Sequence, residues 1–430
     1  MSAGSLKKEI GFLGAVAYGV GIIVGAGIYA LIGKAAGHAG NTVWASFILA
    51  GTVAAFTALS YGELTSMFPA SAAEYVYIQK AFRSDFWAFI IGWLVLLSGA
   101  ISGSTVALGF GGYLRAFIGL PEASTAIFLI ILLALLNLWG IKKTVQANVV
   151  MTLIEIIGLV LVILFGVKFL GSVNYLEAPS GLGGVVTAAA LIFFAFIGFE
   201  SLTKIAEETK NPKRTIPRAL ILALAISTIL FILVSLSVIS VVPYNQLAVS
   251  SSPLTDVAMT AQGPQAALIL SAIALVATAN TVLITLTATS RMAYGMAKES
   301  SLPNIIARVL KRRGTPWVAI LLITAASLPF VLLGDIELVA NVTNVMIFLV
   351  FLAVNLALII LSRNRTGDKE AFKSPFRVKN VPVTAILGAT SSFLMLLQFD
   401  LLVVVISALV IGLGGIIYKI HRSRSDLPCS

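Results

Sequence analysis

Apolar stretches of about 18 to 27 residues recur along almost the whole chain, each long enough to cross a hydrocarbon core of roughly 30 Å as a helix. Twelve can be placed, at 10–33, 41–66, 86–112, 123–141, 146–170, 184–203, 218–242, 264–290, 317–334, 337–361, 382–399 and 401–420, numbered here segments 1 to 12. Backbone facing lipid must satisfy its own hydrogen bonds, so each is expected to be a helix and the fold class all-α membrane protein. Composition agrees: 59% of residues are hydrophobic and 11% charged, where a soluble domain carries about a quarter charged.

Charge sets an orientation. The formal net charge of +11 suggests nucleic acid as a partner until its placement is considered. Of the 29 Lys and Arg, all but Lys34, Arg115 and Lys168 fall at the N-terminus, the C-terminus or the even-to-odd loops. The positive-inside rule then places both termini in the cytoplasm of a multi-pass protein of the cell membrane, with the bilayer as partner and no nucleic acid. Clusters at 204–218, 291–313 and 363–379 read as topological determinants. The lone cysteine, Cys429, cannot form an intrachain disulfide and lies one position too late for a prenylation box. The first apolar block is too long for a signal-peptide core and is expected to be retained. Stretches 171–183 and 243–263 carry Gly, Pro, Ser and Asn and read as ordinary loops.

Two segments carry weak points. Segment 1 contains Gly19, Gly21, Gly25, Ala26, Gly27 and Ile28 in close order, and segment 6 reads Phe193, Phe194, Ala195, Phe196, Ile197, Gly198, Phe199, Glu200. Mid-helix glycine costs about 1 kcal/mol relative to alanine and lets the backbone unwind, although glycine also serves close packing of membrane helices. Position favours unwinding. Segment 6 lies five segments after segment 1, and five is odd, so a second five-segment unit enters from the opposite side, the pattern of an inverted repeat with a midplane site. The chain divides accordingly into 1–175, 176–362 and a peripheral pair at 380–420.

An unwound segment 1 presents the N–H groups of Ala26, Gly27 and Ile28, next to Val24 and Gly25, at a half-helix N-terminus that suits a carboxylate. An unwound segment 6 frees carbonyls at Phe193, Phe194 and their neighbours for an ammonium group. One small molecule with both groups is an α-amino acid.

At these residues the chain resembles the amino acid–polyamine–organocation superfamily of amino acid permeases, in a branch similar to cationic amino acid transporters. The likeness runs through Gly25-Ala26-Gly27-Ile28-Tyr29, Tyr61-Gly62-Glu63-Leu64 with Pro69 and Tyr75, Asn137 to Gly140 with Gln146, and Phe194 to Glu200. It continues with Glu207-Glu208-Thr209-Lys210-Asn211-Pro212, Ile216-Pro217-Arg218, Ser290-Arg291, Tyr294, Leu302-Pro303 and Thr315-Pro316. One departure is Ser71-Ala72-Ala73, where relatives usually carry a glycine pair. The resemblance implies a leucine-transporter-like 5+5 inverted repeat with two extra C-terminal helices, and substrate held by segments 1, 3, 6, 8 and 10. It also implies that Phe194 covers the substrate and that Glu200 stands at the acidic position beside the segment 6 break.

Charge at membrane depth costs about 2.5–3.5 kcal/mol on insertion scales and is functional by default. Glu155 sits mid-segment 5, at a position resembling one that carries a lysine in proton-coupled relatives, and is expected to bind the coupling proton; Na⁺ is the alternative. A permanently protonated, hydrogen-bonded carboxyl is the competing reading. Glu200 is a gate or proton sensor, or alternatively a helix cap, and Glu63 an interfacial packing residue. Ser98, Ser102 and Thr105 with Gly99 and Gly103 form a small polar stripe on segment 3, faced by Thr278, Asn280, Thr281 and Thr285 on segment 8, with Thr343 and Asn344 on segment 10. Of these, Gly103 and Asn280 join the expected substrate site.

The function expected is secondary active amino acid transport by alternating access, as a proton symporter or, alternatively, an exchanger. No cofactor is expected. His38 and His421 both lie outside the segments, and no metal-ligand or nucleophile–base set appears, so the chain is not expected to be an enzyme. No repeated pore element suggests a channel.

Overall fold

The computed structural model describes residues 7–250, 252–332, 336–363 and 372–425; Cys429 and residues 364–371 of the 363–379 cluster lie outside them. Every one of the twelve apolar segments falls on helix. Among the described residues, eight helical stretches are long and apolar enough to cross a membrane, and four more are apolar but shorter, at Glu122–Leu138, Gly181–Ala195, Trp317–Val331 and Val383–Leu396. The chain is thus a multi-pass helical membrane protein.

Segments 1 and 6 are the interrupted ones. Segment 1 is two helices, Phe12–Ile23 and Ala26–Ala39. Segment 6 begins as Gly181–Ile192, tightens into a 3₁₀ turn at Phe193–Ala195, unwinds, and resumes as Ser201–Lys204. Around them pack segment 2 (Val43–Met67), segment 3 (Asp85–Ile118), segment 5 (Ile141–Val167), segment 7 (Pro212–Val241), segment 8 (Pro264–Lys298) and segment 10 (Ile336–Arg363). Segment 12, Leu401–Ser425, sits outermost, against segments 3 and 10.

Two expectations change. Residues 243–263 are not simple loop: they hold helices Tyr244–Val249 and Pro253–Gln262. Leu247, Leu254, Val257 and Ala258 are buried there, and Leu247 lies against Gly33 in the second half of segment 1. Proline at a helix start and short length hid this amphipathic pattern in the sequence. A further helix, Ala73–Phe82, connects segments 2 and 3 and packs under segments 3 and 10.

On the face where segment 1 begins, polar groups lock the connections together. Glu9 and Ile10 donate their N–H groups to the Glu208 carbonyl, and Lys210 N–H donates to Ile10. The fully buried Arg291 donates to Glu208 (3.1 Å) and to Asn137 Oδ1 (2.8 Å). Glu63, expected as an interfacial packing residue, is instead fully buried, ion-paired with Arg377 and accepting from Ser374 N–H (2.8 Å). A buried carboxylate needs such partners, because removing it from water unpaired costs several kcal/mol.

Candidate functional site

The two interruptions meet. Gly27 approaches Ala195 so closely that a Cβ on it would stand 2.5 Å from the Ala195 Cα. At segment 1 the break is two residues long, Val24 and Gly25, and a Cβ on Gly25 would overlap the Thr281 hydroxyl. That hydroxyl accepts from Ala26 N–H (2.9 Å), acting as an N-cap supplied by another helix. The N–H groups of Gly27 and Ile28 remain without acceptors among the described residues. The expected cradle of three amides is therefore two amides and a capped third.

At segment 6 the break spans Phe193–Glu200, with Gly198 at φ +119°, a conformation closed to most side-chain-bearing residues. Phe193 and Phe194 were expected to offer free carbonyls. They do not: the Phe193 carbonyl accepts from Phe196 and Ile197, and the Phe194 carbonyl from Ile197. Among the described residues the carbonyls without a hydrogen-bond donor come directly after, at Ala195, Phe196 and Ile197, because the 3₁₀ turn ties off the preceding pair. Asn344, one of the polar groups on segment 10, donates to the carbonyls of Ala190 (3.1 Å) and Leu191 (3.3 Å), capping the helix before the break.

A cavity of about 40 Å³ lies at this crossing. Gly27, Phe194, Ala195, Gly198 and Glu200 line it from the two breaks, with Ile22, Ile23 and Ile197. Segment 3 contributes Val95, Ser98, Gly99 and Ser102, segment 8 Thr281, Thr285 and Thr289, and segment 10 Ile347. A second cavity of similar size, between Ala26, Tyr29, Thr105, Tyr113 and Thr278, is also bounded by Phe194, so this ring separates the two spaces. A single water needs roughly 10–15 Å³ of such space, so an amino acid enters only if walls withdraw.

Several expected residues stand back from the cavity. Gly103 faces Thr285 without lining it, and Phe193 and Phe196 pack into the aromatic core on Phe348 and Phe231. Val24 and Ile28 are buried in the wall. Asn280 turns away to segment 5, accepting from Asn148 (3.0 Å) and donating to Thr152 (3.2 Å). Glu155 is fully buried on the same helix as these partners, and neither of its carboxyl oxygens has a hydrogen-bond partner among the described residues.

Sequence reasoning missed Lys204. It was grouped with the topological cations, yet it is 3% exposed and lines the cavity between two carboxylates, 3.6 Å from Glu200 and 3.3 Å from Glu74. The signal was present: Glu200 and Lys204 are spaced i, i+4 in an apolar setting. Glu200 also accepts from Gly198 N–H (2.8 Å), which holds the unwound stretch in place.

The chain matches the amino acid permease family over residues 14–426 and belongs to that family, within the amino acid–polyamine–organocation superfamily. It is 30% identical to the branched-chain amino acid permease of Bacillus subtilis, over 98% of this chain and 95% of that protein. It is 29% identical to the methylthioribose transporter of the same organism over the same shares. A vacuolar cationic amino acid transporter of Arabidopsis thaliana is 29% identical over 83% of this chain and 63% of its own length. The family and these relatives are transporters, not enzymes.

Proposed function

We propose that this protein is a secondary active transporter that takes a small neutral amino acid across the cell membrane by alternating access. One observation carries the reading: Gly27, which with Ile28 carries N–H groups lacking an acceptor, and Ala195 and Ile197, with carbonyls lacking a donor among the described residues, line one cavity. The N–H groups sit at the positive end of a half-helix and suit a carboxylate, and the carbonyls suit an ammonium group. Ile22, Ile23, Val95, Ile197 and Ile347 leave an apolar setting for the side chain. Glu200, the carboxylate that lines this cavity among the described residues, already faces Lys204 and is not open to a cationic side chain. The similarity to a branched-chain amino acid permease favours the same substrate class.

In this reading all twelve segments cross the bilayer, in two inverted units of five plus two, with both termini cytoplasmic. Segments 1, 2, 6 and 7 rock against 3, 4, 8 and 9, and Phe194 moves to admit and cover the substrate. Glu155 binds the coupling proton. An ionised carboxylate at that site would be an uncompensated buried charge, so uptake and release of a proton there has a natural link to the position of segment 1, whose Gly21 abuts Asn148 and Thr152.

Thermal stabilisation of the purified protein, screened across amino acids, polyamines and methylthioribose with and without Na⁺, tests the substrate. Stabilisation by branched-chain and other neutral amino acids is expected; a response to methylthioribose or polyamines alone would overturn the assignment. Uptake by Glu155→Gln should lose its dependence on a pH gradient, and an unchanged profile removes Glu155 from coupling. Counterflow without net uptake in proteoliposomes would identify an exchanger.

A further inference from the structure

Glu200 and Lys204 line the cavity, and behind Lys204 stands a third ionisable group, Glu74 of the Ala73–Phe82 helix. Lys204, on segment 6, stands between Glu200 of its own segment (3.6 Å) and Glu74 of the connecting helix (3.3 Å). All three are essentially buried. Tyr61 of segment 2 donates to the same Glu74 oxygen that faces Lys204 (3.3 Å). The other Glu74 oxygen, Oε2, is buried without a partner among the described residues.

Two carboxylates and one ammonium sum to one excess negative charge, and each uncompensated buried ion costs several kcal/mol. Glu200 has both oxygens engaged, by Gly198 N–H, the Ser201 hydroxyl and Lys204. The open position is Glu74 Oε2. We propose that Glu74 is a proton-binding site, distinct from Glu155, whose occupancy releases Lys204 and breaks the ionic tie between the Ala73–Phe82 helix and segment 6.

With the proton on Oε2, Glu74 loses its Coulomb attraction for Lys204. The ammonium then belongs to Glu200, one turn back on its own segment, and the ionic tie between the connecting helix and the cavity wall is gone. Ser71 N–H remains bonded to Glu207 (3.0 Å) and serves as the pivot. Burial, the largest influence, raises the Glu74 carboxyl above the usual carboxylate range, while Lys204 opposes it and Glu200 adds to it. The tie is therefore intact at alkaline pH and lost as pH falls through that raised value. Segments 3, 8 and 10 also pack on this helix but bring no charged group acting on Glu74.

The inference rests on the transporter reading for its meaning, but its test does not require transport. In full-length protein carrying Cys429→Ser and Thr289→Cys, a thiol placed in the cavity wall is labelled at graded pH, with rates normalised to free cysteine at each pH. Labelling should slow about tenfold per pH unit above a single midpoint, as expected if one proton opens the path. With Glu74→Gln added, labelling should be fast and independent of pH. Tyr61→Phe removes a donor to the ionised form and should move the midpoint to higher pH, a shift that a merely structural role would not produce. A profile that Glu74→Gln leaves pH-dependent, or a midpoint unmoved by Tyr61→Phe, overturns the proposal. The Tyr61 variant decides the matter if Glu74→Gln does not fold. Glu155→Gln should leave the midpoint of the labelling profile where it is in the parent, whatever the absolute rate, and a midpoint that moves with Glu155→Gln and not with Tyr61→Phe overturns this proposal while leaving the coupling reading standing.

Discussion

The two helix breaks at the cavity differ in length and in what they expose. Segment 1 stops and restarts across Val24 and Gly25, so its second helix begins abruptly, with Gly27 of its first turn lining the cavity. Segment 6 passes through a 3₁₀ turn and an unwound stretch before helix resumes at Ser201, and so exposes carbonyls and hosts Glu200. A short break makes a concentrated positive end, since the dipole of the following helix is intact. A long break spreads acceptors and leaves room for a side chain to act. Binding a zwitterion calls for both kinds.

Substitutions can separate these roles. The largest effect is expected from Gly25→Leu, which drives a side chain into Thr281 and the restart of the second helix. Uptake should vanish while expression and membrane insertion persist; retained uptake would disconnect the segment 1 break from the substrate. Gly198→Ala should come next. It forces a methyl group onto φ +119° and to within 2.5 Å of Ile22, a strain of about 1–3 kcal/mol that appears as a lower melting temperature and impaired uptake. An unaltered protein would mean the segment 6 break tolerates a regular conformation. The smallest effect is expected from Thr281→Ala, which uncaps Ala26 without closing the cavity and should cost about 1 kcal/mol in thermal unfolding. If its loss of substrate affinity exceeds that of Gly198→Ala, the capped amide matters more than the carbonyls.

The breaks themselves were legible in the chain. Gly25 and Gly27 marked the first and Gly198 the second, because unwinding and close approach leave few alternatives to glycine. The chemistry of each break was less legible. Which carbonyls stay free depends on where a 3₁₀ turn ends, and Phe193 and Phe194 look no different in sequence from Phe196. Asn280 and Asn344 were visible as polar residues at depth, but a side-chain amide serves a ligand or a neighbouring helix equally well. Only the packing settled that Asn280 joins segment 5 and Asn344 caps segment 6. Lys204 was hidden by its neighbours, since five cations in one loop read as a single topological signal.

The sequence by itself determined that this chain lives in a membrane, that two of its apolar segments are interrupted, and that few charges lie at depth. Those follow from apolar length, backbone hydrogen bonding and the cost of burying charge, all of which act locally along the chain. The tertiary structure decided which donors and acceptors remain unpaired, that Thr281 caps Ala26, and that Glu74, Lys204 and Glu200 form one cluster. Hydrogen bonds and ion pairs between distant residues, such as Ala26 with Thr281 and Glu74 with Lys204, depend on how helices cross, and no spacing along the chain encodes that.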